Sequence, residues 1–247
     1  MRWADGEVTV TDAVRAPKAL SGARLRDGFF KGIAALTLGL IRTDGRAIYL
    51  GPVELLRFGA PEASAHAVTW PVEGGLLSAG PGGRLEIRSG GGTITATVEG
   101  YRPSLPRALY AIGQLPAHHL LTQLVLLRLR GRSPAAGLPA EPAGRLAAGL
   151  IDVAICGAVV VAVGRKRRIR ALAAVVAGYH LACWSISGRT VGGALMRQRV
   201  VAVDGSRASV LQSALRLALL PVALLKLRAV HDEVAATDVI ADPPSDR

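Results

Sequence analysis

The chain has 247 residues, 50% hydrophobic, 4% aromatic and 19% charged, with 30 Lys+Arg against 18 Asp+Glu and a net charge of +12. Its positive mean hydropathy excludes a disordered chain, and two cysteines without CxxC or Cys/His spacing exclude a disulfide framework and a zinc site, so neither metal nor cofactor is expected. Nucleic acid is not the expected partner either: residues 1–133 hold 16 Lys+Arg and 10 Asp+Glu and residues 134–247 hold 14 and 8, so each part carries +6 and no basic domain stands apart.

The first ten residues lack the apolar segment of a signal peptide, so an amino-terminal side in the cytoplasm is the expectation. Residues 7–11, 47–50, 67–72, 84–88 and 93–99 are short β-like runs bounded by Gly, Pro or Asp. They predict an antiparallel sheet with turns at 80–83 and 90–92. Residues 29–41 are more apolar but interrupted by Lys31, and are too short to cross a bilayer, which takes about 20 residues. A core helix is the expectation, with an interfacial helix as the alternative.

From Leu105 the period becomes helical, with an interruption expected at Pro116 and the cations Arg128, Arg130 and Arg132 at the helix end. Residues 133–144 are rich in Pro, Ala and Gly and read as a linker.

Residues 146–163 carry one charge, Asp152, and residues 171–187 carry no formal charge, although His180 lies inside them. Separated only by the basic turn 164–170, they predict a membrane hairpin. A third run, 209–225, contains Gln212, Arg216 and Pro221, and is expected to break at Pro221 as an interfacial or re-entrant helix. With that run not crossing, the distribution of Lys and Arg keeps the amino-terminal side inside the cell.

Several fragments of this half resemble the RDD family of small bacterial integral membrane proteins. They are Arg-Leu-Ala-Ala-Gly-Leu-Ile-Asp at 145–152, Gly-Arg-Thr-Val-Gly-Gly at 188–193, then Arg197, Asp204-Gly205, Leu215-Arg216, His231-Asp232 and Thr237. The resemblance covers about residues 143–241, and the arginine and two aspartates that name the family match Arg145, Asp152 and Asp232. It departs at Gly193, where the family has a lysine, and in a shorter final apolar region. It implies a multi-pass protein of the bacterial inner membrane with a transport-associated or ion-linked role. Since two or three helices rarely enclose a pathway, a homo-oligomer or a membrane partner is implied as well. In the first half, short strands followed by residues 100–106 and a long helix look like a helix-grip domain that binds small ligands. The alternative function is therefore a membrane-tethered ligand-binding or sensory domain with the helices as anchor.

The expected fold is α+β: a β-rich cytoplasmic domain with helices (1–132), a linker (133–144), a transmembrane module of two spans plus a third apolar helix (145–241) and a polar tail (242–247). No catalytic constellation stands out, so an enzyme is not expected. Asp152 and Arg216 are the charges expected within the apolar layer, at similar depth and therefore as partners, because a carboxylate there costs about 2.5–3.5 kcal/mol unless compensated. Arg145, nearly two turns before Asp152, reads as an end anchor or a ligand. His180 and the two cysteines read as packing residues. Adjacent His118 and His119 point apart and form no metal pair. Arg165, Lys166, Arg167, Arg168 and Arg170 are candidates for binding lipid headgroups of the bilayer.

Overall fold

Apolar and polar residues alternate along most strands of the first unit, so each strand turns one face inward. Val8, Val10 and Val14 are buried on one strand, Val68, Trp70 and Val72 on a second, Leu85 and Ile87 on a third, and Ile94 and Ala96 on a fourth. The structure is a computed structural model that describes residues 1–37, 39–133, 135–162, 168–226 and 229–242. The chain divides into two units, Met1–Ser133 and Pro134–Arg247.

The first unit is a nine-stranded antiparallel sheet with helices on its inner face. In chain order its elements are β1 (Arg2–Ala4), β2 (Glu7–Arg15), α1 (Gly22–Leu36), β3 (Ile41–Thr43), β4 (Ala47–Leu50), β5 (Val53–Phe58), β6 (Glu62–Ala63), β7 (Ala67–Gly74), β8 (Arg84–Gly90) and β9 (Thr93–Tyr101). A short α2 (Arg107–Leu109), a π-helical turn (Tyr110–Gln114) and α3 (Leu115–Arg130) follow as one continuous helix. The strands lie in the order β1-β2-β9-β8-β7-β5-β4-β3, with β6 paired to β7. The early strand β2 thus returns beside the last, β9. Register shifts in the β2–β9, β4–β5 and β5–β7 pairs mark bulges, which bend and twist a sheet. α3 lies against β2 and β9, and α1 packs on α3 and on β7.

Two boundaries differ from the sequence reading. The helix expected over 29–41 begins instead at Gly22, where the Ser21 hydroxyl accepts from Arg24 N at 3.3 Å as an N-cap. It ends at Leu36, and Ile41 opens a strand. Gly22 is required there, because a Cβ would sit 2.2 Å from the Ser64 carbonyl oxygen. Nor does Pro116 interrupt the last helix. It sits directly after the wider π-helical turn, and one lost hydrogen bond there does not end the helix.

The second unit contains α4 (Pro142–Ala162), α5 (Arg168–Ile186), α6 (Val191–Leu195), β10 (Gln198–Ala202), α7 (Val210–Lys226), α8 (Val230–Ala235) and β11 (Thr237–Ala241). β10 and β11 pair antiparallel, and Trp184, Val200, Ala208 and Val239 form a core beside them. Part of the expected linker belongs to this unit: Ala140 N donates to Val239 O at 2.9 Å and Ala241 N to Leu138 O at 2.8 Å.

Two spans plus a third apolar helix are not what forms. Among the described residues one helix, α4, is long and apolar enough to cross a membrane. The apolar stretches Arg170–Ile186 and Val210–Leu225 fall in the 10–17 residue class. Even 17 residues, the upper end of that class, rise only about 26 Å, against a hydrocarbon core of about 30 Å. α7 is also continuous through Pro221. One lost hydrogen bond does not end a helix whose flanks pack on α5 and α8.

Candidate functional site

Asp152 sits midway along α4, only 2% exposed. Its Oδ1 accepts from the Tyr179 hydroxyl and from Gly192 N, each at 2.8 Å. The Tyr179 oxygen accepts in turn from Val191 N at 2.7 Å. One carboxylate therefore ties α4 to α5 and to the first turn of α6. His180 Nε2 lies 3.8 Å from the other oxygen, Oδ2. The approach is close because of Gly192: a Cβ there would lie 2.1 Å from Ala148 O and 3.0 Å from Asp152 Cγ.

Arg216 does not pair with Asp152. It forms a buried ion pair with Asp232 Oδ1 and donates to Thr237 Oγ1 at 3.0 Å, while its guanidinium lies 4.8 Å from the centre of the Trp184 ring. Thr237 Oγ1 donates to Asp232 Oδ1 at 2.9 Å, and Arg145 Nη2 donates to Asp232 Oδ2 at 2.5 Å. Asp232 thus gathers both arginines. Helix-depth reasoning missed this because the acceptor comes from α8, a six-residue helix with no periodic signal of its own. Of the three positions that resemble the RDD motif, Arg145 and Asp232 meet and Asp152 stands in its own network.

Arg145, Asp152, His180, Trp184, Arg216 and His231 all line one cleft of about 480 Å³. His231 Nδ1 and Arg216 Nε are buried without a hydrogen-bond partner among the described residues. Burial, reinforced by the charges of Arg216 and Arg145, lowers the His231 pKa to about 4. The ring is therefore neutral at pH 7. Arg165, Lys166 and Arg167 lie outside the described residues, as does the side chain of Arg168; Arg170 is exposed on α5. No group of three or more His, Cys, Asp or Glu suited to a metal occurs among the described residues.

The first unit holds a second candidate, a cavity of about 230 Å³ between the sheet and α3. Phe29, Ile33, Ile48, Phe58, Val72 and Leu85 supply apolar walls. α3 and the turn before it supply Tyr110, Gln114, His118 and Thr122, a stripe at steps of four that faces the cavity. That spacing was legible in the sequence, but the stripe lies among leucines and reads as core until the sheet is placed around it. Burial raises the pKa values of Tyr101 and Tyr110 to about 12, with the Asp12 charge adding to Tyr110, so both phenols stay protonated. Behind this end, Asp12 on β2 reaches His119 Nδ1 at 2.6 Å and faces His118 Nε2 at 3.7 Å. Burial lowers the His118 pKa against the opposing pull of Asp12.

Comparison with protein-family models, curated proteins and solved structures finds no match. The functional reading therefore rests on the two sites themselves. In the second unit each charge that resembles the RDD motif is engaged by its neighbours. In the first, a cavity with apolar walls ends in polar side chains whose hydrogen-bonding capacity is only partly used. Such a cavity is the usual form of a small-molecule site.

Proposed function

We propose that the chain is a membrane-attached protein that binds a small, largely apolar molecule in its first unit. The 230 Å³ cavity with its apolar walls carries this reading. Attachment is supported by α4, whose Leu146, Leu150, Val153 and Val161 are 66%, 63%, 50% and 63% exposed. An apolar helix face left open to this extent gains by entering a bilayer.

The test is saturable uptake of a neutral apolar fluorophore, N-phenyl-1-naphthylamine, by the full chain in nanodiscs, with empty nanodiscs subtracted. Replacing Ala117, which lines the cavity, by Trp fills the space and abolishes saturable uptake. Equal uptake by the two proteins would count against the cavity as the binding site.

A second reading, an ion-linked or transport-associated role in an oligomer or with a membrane partner, draws on the charges lining the cleft of the second unit. Ligand binding is preferred because Asp152 already has two hydrogen-bond donors and Asp232 already pairs with two arginines. Groups so engaged have work in holding the helices together.

A further inference from the structure

Two buried acceptors lie at and behind the polar end of the first unit's cavity. Tyr101 has one hydroxyl proton, and that proton goes to the Leu77 carbonyl oxygen. The phenolic oxygen can then only accept, which it does from Gln114 Nε2 at 2.9 Å. This settles the amide orientation, because a flipped Gln114 would set its carbonyl against an oxygen with no proton to give. Gln114 Oε1 is consequently left buried and without a partner. The second unpartnered buried acceptor nearby is Asp12 Oδ2, facing His118 across 3.7 Å. A buried acceptor without a donor costs about 1–3 kcal/mol, and a ligand that supplies the donor recovers that loss on binding.

Charge points the same way. Asp12 lies behind this end, 3.7 Å from His118 Nε2, and His118, the imidazole lining the cavity, is held toward its neutral form by burial. Among the described residues neither Arg nor Lys lines the cavity. An anionic head group would meet the Gln114 amide, with the Asp12 carboxylate behind His118, and no Arg or Lys among the described lining residues to offset them.

On the reading that this cavity binds a small molecule, we infer that its ligand joins an apolar body to a hydrogen-bond-donating head, a hydroxyl or an amine, seated on Gln114 Oε1, and that carboxylates are rejected. The apolar walls take the body. The amide oxygen takes the head, and the nearby Asp12 charge favours a head with positive character.

A matched series separates this inference from the reading beneath it. Hexane, 1-hexanol, hexylamine and hexanoate compete with N-phenyl-1-naphthylamine for the full chain in nanodiscs. Hexanol and hexylamine are expected to bind at least about tenfold more tightly than hexane and hexanoate, the equivalent of one hydrogen bond. Gln114→Met keeps the side-chain length and removes the acceptor, and it should bring hexanol down to the level of hexane while leaving hexane unchanged. If no member of the series displaces the fluorophore, the cavity reading itself fails. If all bind but hexanoate matches hexanol, the cavity reading stands and the head-group inference is overturned. Gln114→Met retaining the hexanol preference would overturn the assignment to Gln114, and the wild-type series decides the class of head group even if that variant does not fold.

Discussion

Arg145 and Asp232 are 87 positions apart in sequence and 2.5 Å apart in the folded chain. Their pairing joins the start of α4 to α8, and the same carboxylate holds Arg216 of α7. A short helix thereby anchors two long ones. Asp232 is 4% exposed, so its charge depends on these partners rather than on water.

Asp232→Ala should be the most damaging single change in this network, because it strands two arginines at once. The expected cost is about 3–5 kcal/mol, as for other broken buried pairs. Arg145→Gln should cost only about 1 kcal/mol, since the arginine side chain is 32% exposed and water can take over part of its solvation. Denaturant titration of the solubilised full chain checks the order. Equal effects would show that the Arg145 contact carries most of the energy.

Asp152 should couple to Tyr179 and not to Arg216. A double-mutant cycle between Asp152→Asn and Tyr179→Phe is expected to give an interaction of about 1 kcal/mol, the worth of one hydrogen bond. The corresponding cycle between Asp152→Asn and Arg216→Gln should be additive within about 0.5 kcal/mol. Strong coupling in the second cycle would restore the pair that helix depth alone predicts.

Gly192→Ala should destabilise the second unit by about 2–3 kcal/mol, the scale of overpacking a closed contact. The added methyl would meet the Ala148 carbonyl oxygen at 2.1 Å, and backbone cannot rotate aside as a side chain can. Gly149→Ala on the facing helix meets nothing within 4 Å and serves as the control. The prediction fails if the two variants melt together.

Stability should fall as pH drops from about 6.5 toward 4, in part through His231. In the folded chain its pKa is lowered to about 4 by burial and then by Arg216 and Arg145, with Asp232 the opposing charge 3.5 Å from Nε2. An unfolded histidine takes up a proton near its ordinary value of about 6.5. Through that window the unfolded state binds the extra proton, so acid favours unfolding, and the contribution is complete above about pH 6.5. His231→Gln should flatten this part of the stability profile. An unchanged slope would assign the acid sensitivity to the carboxylates.

Leu150→Lys and Val153→Lys together should shift the full chain from the alkali-resistant membrane fraction toward the soluble one. Both positions lie on the exposed face of α4, and each lysine near the middle of a span costs about 2.5–3.5 kcal/mol on insertion scales. Ala148→Gly, a change on the buried face, should leave the partition as it is. If the double lysine variant remains membrane-bound, attachment runs through another surface.

The strands of the first unit were legible because alternation is a local property. A run such as 84–88 reads as β whether or not its neighbours are known, and β8 spans Arg84–Gly90. The long apolar character of α4 was legible for the same reason. The extents of α5 and α7 were legible too, since the runs 171–187 and 209–225 fall on Arg168–Ile186 and Val210–Lys226; what an apolar run of that length does not fix is whether it crosses a bilayer or packs within the protein. The chain also carries no local sign that Asp232 takes Arg216 from Asp152. That depends on α8 and β11 folding back against α7, a return made by residues without helical or strand periodicity. The cavity was hidden in the same sense. Tyr110, Gln114 and His118 stand at steps of four in the sequence, yet only the curvature of the sheet leaves space in front of them. Composition and periodicity determined which segments bury an apolar face; which charges meet, and where a void remains between those faces, was decided by tertiary packing, because both depend on distances between residues that the chain itself holds far apart.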